Sequence, residues 1–276
     1  MAQSTIWFIT GVSRGFGRIW TEAALKRGDR VAATARDSKT LSYLVTTYGE
    51  SVLPLSLDVT NRDAVFEAVK KAHQHFGRLD VVLCNAGYGY MGAVEEVVAA
   101  DAHANFDTNV FGTLSVIQAA LPLLRTQGSG HILTVSSIGG VIGFPTGGIY
   151  AATKFAVEGM TEALAGEVAG FGIKVTIIEP GSFKTGFRSS MKAAPAMAEY
   201  DGVRQAVLGS FKPEMSGDPT ATADAILNLV DADKPPLRLL LGTGPLPMIK
   251  KLYEGRLNTW EQWAEVSNAA QGSRAV

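Results

Sequence analysis

The chain is short of the residues that metal and disulfide chemistry need. Among its 276 residues there is one cysteine, Cys84, and there are four histidines. One thiol forms no internal disulfide, and four scattered imidazoles do not add up to a structural zinc site. Cys84 closes an apolar run and reads as a small packed hydrophobe. Charge is scarce too: charged residues make up 18%, with a formal net charge of −1. That balance excludes the basic footprint of a nucleic-acid binder and a surface drawn to anionic lipid. It leaves room for a small basic site that holds one phosphorylated molecule. No apolar stretch approaches the roughly 20 residues that span a bilayer. The first ten residues read as a strand running into a glycine-rich turn, not as a secretory leader. The expected setting is therefore a reducing compartment, the cytoplasm.

Apolar residues are plentiful, at 46%, which is enough for a large core and argues against disorder. Short β-branched runs alternate with longer amphipathic segments. The runs predict strands at Thr5–Thr10, Arg30–Ala35, Val52–Leu57, Leu79–Cys84, His131–Ser136, Lys174–Ile178 and Leu237–Leu241. Helices are expected near Gly15–Arg27, Ser38–Tyr48, Arg62–Phe76, Asp101–Arg125 and Gly148–Ala169. Several strands are continuously apolar, as in a sheet covered on both faces. Strand and helix in alternation imply right-handed crossovers, hence a doubly wound, Rossmann-type parallel α/β sheet in one domain. The stretch 181–220 breaks the pattern. It is rich in Gly, Pro, Ala and Met, carries Phe183, Phe187, Met191, Met197, Tyr200, Phe211 and Met215, and is expected to be a mobile, apolar, helical substrate lid, in preference to a surface insertion with its own small core. A terminal helix and tail occupy about 245–276, frayed from Gln271 onward.

The first strand runs straight into Thr10-Gly11-Val12-Ser13-Arg14-Gly15-Phe16-Gly17. Glycines there let a pyrophosphate approach main-chain amides at the start of a helix, whose dipole favours negative charge. Gly11, Ser13, Arg14, Gly15, Phe16 and Gly17 are thus candidate cofactor contacts. The same residues also fit the G-x-S-x-G elbow of serine hydrolases. Chain order weighs against that reading, because an acid and then a histidine should follow, yet the last histidine is His131. The second strand ends at Ala35-Arg36, where NAD-binding units of this type carry an acidic residue for the ribose 2′-hydroxyl. Two guanidinium groups, Arg14 and Arg36, would instead suit a 2′-phosphate, although Asp37 follows one step later.

Tyr150 and Lys154 are four residues apart in a helical pattern, so they share one face, one turn apart. A phenol has a pKa near 10, and a nearby ammonium favours its ionised form. Such a pair can exchange a proton with an alkoxide formed from a ketone.

With this pair, the sequence resembles the short-chain dehydrogenase/reductase family over roughly residues 5–190. The matching motifs are the glycine turn, Asp58, Asn85-Ala86-Gly87, Asn109, Ser137, Tyr150 with Lys154, and Pro180-Gly181. Ser137, not Ser136, stands at the family's spacing before Tyr150. The resemblance implies that Tyr150 is the general acid/base and that Lys154 binds the nicotinamide ribose and lowers the Tyr150 pKa. It implies that Ser137 binds the substrate oxygen and that Asn109 holds a proton-relaying water. Asp58 and Val59 would contact adenine, and Asn85, Ala86 and Gly87 would line the cofactor. Pro180, Gly181, Phe183 and Thr185 would flank the nicotinamide end. The implied cofactor is NADP(H), and the implied assembly is a homodimer or homotetramer built on the long helices after strands four and five. The candidate pocket residues Tyr88, Tyr90, Ile138, Phe144, Phe183 and Phe187 carry no charge, so a fairly apolar small-molecule ketone or alcohol is the expected substrate. The other reading, an NADP(H)-sensing protein without turnover, fits less well because Tyr150 and Lys154 are both present.

Overall fold

The computed structural model describes residues 4–210, 214 and 216–272. Phe211 and Met215 of the expected lid, and 273–276 of the expected tail, lie outside the described residues. In chain order the main elements are β1 (Ile6–Ile9), α1 (Gly15–Arg27), β2 (Arg30–Ala35), α2 (Ser42–Tyr48), β3 (Val52–Ser56) and α3 (Arg62–Phe76). Then come β4 (Val81–Cys84), β5 (Tyr90–Met91), α4 (Ala99–Phe106), α5 (Gly112–Gln127), β6 (Gly130–Val135), α6 (Gly148–Val168) and β7 (Ile173–Pro180). The rest are β8 (Lys192–Ala193), α7 (Asp201–Ser210), α8 (Thr222–Asp231), β9 (Arg238–Leu241), α9 (Pro245–Gln262) and α10 (Ala264–Ala269).

The seven expected strands all form, and they join one sheet in the order β3-β2-β1-β4-β6-β7-β9. Every pairing in it is parallel. The continuous apolar runs explain its burial. In β1, Ile6 and Phe8 face a core shared with α3, α5 and α6, while Trp7 and Ile9 face a second core under α1, α2 and α8. Successive strand side chains point to opposite faces, so a strand covered twice must be apolar at each position. Each such side chain contributes about 1.5–3 kcal/mol on full burial. Strand order reverses between β1 and β4, and the crevice beyond their C-terminal ends is where sheets of this kind place a ligand.

One expectation needs correction. The single helix expected over Asp101–Arg125 is α4, a widened π-helical turn at Asp107–Phe111, and α5. Within that turn the Asn109 side chain grips the main chain of Tyr88, and an extra residue per turn lets it reach inward. In the segment expected to be a helical lid, β8 pairs in parallel with β5, and α7 follows. Among the described residues no helix is long and apolar enough to cross a membrane.

Candidate active site

The turn after β1 is built around close main-chain approach. Gly11 and Gly15 have φ of 73° and 58°, values that other residues adopt only with strain. A Cβ on Gly11 would lie 2.9 Å from Ala86 Cα, and one on Gly17 would lie 2.4 Å from Gly11 O. Thr10 ties this turn to the end of β4: its Oγ1 accepts from Asn85 N and Ala86 N, both at 3.0 Å. Asn85 Nδ2 in turn donates to Thr10 O at 2.8 Å and Gly11 O at 3.1 Å. Asn85 therefore braces the turn with its side chain. No side chain caps the start of α1, and its first turn has no acidic residue. Unpaired N–H groups at a helix start, with glycines that leave room beside them, suit a phosphate group. Thr185 lies over this turn, its Cβ 3.6 Å from where a Gly15 Cβ would be.

Arg14 and Arg36 are exposed at the rim, and neither guanidinium bonds to another described side chain. Asp37, the residue that weighed against a 2′-phosphate, is engaged locally. Its Oδ1 accepts Lys39 N at 3.0 Å and caps a short 3₁₀ turn. Asp58 is also exposed, with Oδ1 bonded to Thr60, while Val59 is buried beside Gly112.

On α6, Tyr150 and Lys154 face the same crevice, with Lys154 Nζ 5.8 Å from the Tyr150 ring centre. Lys154 is buried, and its Nζ donates to Val135 O at 2.8 Å. Ser137, just past β6, accepts Gly139 N at 3.0 Å through its hydroxyl, and a Cβ on Gly139 would meet both Ser137 Oγ at 3.5 Å and Tyr150 Cε1 at 3.4 Å. Burial pushes the Tyr150 phenol up to about 12, and the neighbouring Ser137 hydroxyl offsets only part of this. Burial also brings the Lys154 ammonium down to about 8, against the attraction of Glu158. Burial acts on both groups in the same sense, disfavouring the charged form of each.

Asn109 is 1% exposed, and its amide is fully engaged. Oδ1 accepts Tyr88 N at 3.0 Å, while Nδ2 donates to Tyr88 O and Thr153 Oγ1, each at 3.0 Å. Thr153 Oγ1 donates to Tyr150 O at 2.7 Å, completing a link from the π turn to the first turn of α6. A Cβ on Gly87 would lie 2.9 Å from Asn109 Oδ1 and 3.7 Å from Lys154 Nζ, which places the end of β4 beside the ammonium.

The model of the short chain dehydrogenase family matches residues 5–196. The chain belongs to that family. The oxidoreductase BOA17 of Botryotinia fuckeliana is 43% identical over 276 residues, covering 97% of this chain and 100% of that protein. A short-chain dehydrogenase from Streptomyces avermitilis superimposes with a TM-score of 0.90 at 36% identity, covering 98% of this chain and 99% of that one. ElxO with NADP bound superimposes with a TM-score of 0.76 at 30% identity, covering 89% of this chain and 100% of that one.

Membership removes the hydrolase reading. Ser13 sits exposed on the glycine turn, whereas His131 lies near the start of β6, at the opposite end of the sheet. Other residues of this short-chain dehydrogenase stand differently from expectation. Tyr90 is 1% exposed with its hydroxyl accepting Val98 N, so it is core and no pocket wall. The Phe183 ring packs edge-on against Phe16 at 5.4 Å, and Phe16 stacks on Trp20 at 4.8 Å. Both phenylalanines thus put their rings into the hydrophobic layer under the turn, leaving only their backbones for a cofactor. Pro180 ends β7, and Gly181 N bonds Leu241 O at 3.0 Å. Phe187 stands 5.6 Å from the Tyr150 ring, and Phe144 lies close to Gly139 on the other side of Tyr150. The bracing roles of Thr10 and Thr153 were not foreseen, because a hydroxyl that joins two backbones leaves no mark in the sequence.

Proposed function

We propose that this short-chain dehydrogenase is an NADP(H)-dependent carbonyl reductase acting on a fairly apolar ketone, with Tyr150 as proton donor. The observation that carries the reading is the convergence of three groups at one crevice: the Tyr150 phenol, the Ser137 hydroxyl beside it, and the Lys154 ammonium behind them. Bound NADPH would supply a hydride to the carbonyl carbon. The chain's own residues handle the oxygen. Ser137 donates a hydrogen bond to it and Tyr150 gives it a proton as charge develops. The Lys154 ammonium stabilises the phenolate that remains, and Asn109, through Thr153, holds the first turn of α6 in place. Phe144, Phe187 and Met191 give the substrate side an apolar wall, with Met191 and Phe187 both against Gly89. The choice of NADP(H) over NAD(H) is supported by the exposed Arg14 and Arg36 and by the commitment of Asp37 to its own turn. Phe111 and Phe155, exposed beside α5 and on α6, support assembly through those helices.

The test is turnover of NADPH with a panel of aromatic and cyclic ketones, with Tyr150→Phe alongside. The variant should bind NADPH within about twofold of the unaltered protein yet lose roughly 10²–10⁴ in kcat. Tight NADPH binding without turnover in either protein would favour a cofactor sensor. Arg36→Asp should lower the NADP/NAD preference by at least about tenfold through repulsion of the 2′-phosphate, and an unchanged ratio would overturn that assignment.

A further inference from the structure

Behind Lys154 the same helix carries Glu158 one turn on and Glu162 a turn beyond. Glu158 is 6% exposed and Glu179, which precedes Pro180 in β7, is 2% exposed. One guanidinium, that of Arg238 in β9, serves all three carboxylates. Its Nε lies 3.0 Å from Glu158 Oε2 and 3.4 Å from Glu179 Oε1, and its Nη2 lies 2.9 Å from Glu162 Oε2. The 3.4 Å approach to Glu179 is an ion-pair distance without hydrogen-bond geometry. Glu158 Oε1 and Glu179 Oε1 are both buried with no hydrogen-bond donor among the described residues, and so is the Ser136 hydroxyl. Ser136 Oγ and Glu158 Oε1 share one space: a Cβ on Gly140 would lie 2.4 Å from the first and 3.1 Å from the second.

Two ionised carboxylates here would leave like charges 3.0 and 3.4 Å from one guanidinium nitrogen in a low-dielectric site, each with a buried oxygen that has no bonded partner among the described residues. A single proton eases both faults, cancelling one charge and turning one acceptor into a donor. Burial, and then the charge of Glu158, raise Glu179 well above the ordinary carboxylate range. Glu158 holds the closer bond to Arg238.

We propose that Glu158 and Glu179 share one proton, held on Glu179, so that Glu158 stays ionised behind the active site and maintains the positive charge of Lys154. Glu158 is then a positioning residue, acting through Lys154 and not on substrate. The inference rests on the reading of Lys154 given above. The groups that face the pair are Lys154 and Glu162 from α6, Ser136 from the end of β6 and Arg238 from β9. Arg256 of α9 binds Val141 O nearby.

Infrared difference spectroscopy on the unaltered protein reads the pair without turnover. A carbonyl band from a protonated carboxylic acid near neutral pH, lost in both Glu158→Gln and Glu179→Gln, is the expected result. The pH profile of NADPH-dependent reduction separates the two residues. Glu158→Gln should move the alkaline limb of kcat/KM down by about one pH unit, because the Lys154 ammonium loses its favourable neighbour. Glu158→Asp should restore most of that shift. In Glu179→Gln the amide donates where the shared proton did, so the limb should stay where it was. Absence of the band in an active enzyme, or equal shifts from both glutamine variants, would overturn the pair. A band in a protein that reduces no ketone would support the pair and count against the proposed reaction instead.

Discussion

At the scale of a single residue, the site runs against the rest of the core. A lysine on the surface keeps its water, whereas Lys154 is 6% exposed and its ammonium has one carbonyl partner, Val135 O. Its pKa falls from 10.5 to about 8. A cation depressed in this way adds stability only above its unfolded pKa, and the contribution is lost as pH falls through about 8, so at neutral pH the buried charge is a net cost. A shift of this size corresponds to roughly 3 kcal/mol, and loss of the bond to Val135 O would return about 1 kcal/mol of it. Lys154→Met should therefore raise stability at neutral pH by about 1–2 kcal/mol while removing reductase activity. Chemical denaturation measures the first effect, and a lower midpoint would mean that Glu158 and Val135 O more than offset the lost hydration. The pairing of Tyr150 with Lys154 was legible in the sequence because four positions make one helical turn. Glu158 was not, although it repeats the same spacing from Lys154. A glutamate four residues after a lysine ordinarily marks a solvated helix face, and only β7 and β9 folding over it make it buried.

Strands read well at the scale of elements because burial on two faces demands apolar residues at every position, as in Val81–Cys84, where all four are buried. The π turn at Asp107–Phe111 was invisible, since it results from Asn109 gripping Tyr88 across the chain. The segment 181–220 was visible as a break in pattern but not as a docked element. Its clasp is Glu96, whose Oε2 accepts Ala93 N and whose Oε1 accepts Met197 N, both at 2.7 Å, with Arg204 also bound. Lys192 and Asp101 add a second tie. The N–H of Met197 leads the groups that hold the Glu96 carboxyl below its ordinary range. A depressed carboxylate contributes above its unfolded pKa and is lost as pH falls through the folded one, so the clasp weakens in acid. Glu96→Gln keeps the shape but removes the charge from Arg204. The expected result is faster proteolysis within 191–210 and a several-fold higher KM for ketone, with NADPH affinity unchanged. Equal loss of substrate and cofactor binding would mean that this segment is part of the nucleotide site and no lid.

The whole molecule divides its labour along the strands. The C-terminal ends of β1, β4, β6 and β7 carry the proposed site, while their N-terminal ends are tied down by structural polar pairs such as Trp7 Nε1 to Asp29 Oδ2 at 2.9 Å. His131 belongs to that lower end. It is 4% exposed, its Nε2 is 3.0 Å from Thr176 Oγ1, and Nδ1 has no partner among the described residues. Burial, with a smaller push from Lys174, takes its pKa from 6.5 down to about 4. A histidine depressed this way contributes stability above its unfolded pKa, and that contribution is lost as pH falls through the folded one, here between 6.5 and about 4. The amount at stake is roughly 3 kcal/mol, a large share of the 5–15 kcal/mol that holds a typical protein together. His131→Gln keeps a polar group beside Thr176 but cannot take up a proton. Measured by urea unfolding across that pH window, the variant should lose about 3 kcal/mol less than the unaltered protein. Parallel losses in the two proteins would assign the acid sensitivity to a carboxylate tie such as Glu96. A difference confined to the window would show that one buried imidazole at the base of the sheet limits the acid range of a protein whose proposed site lies at the other end.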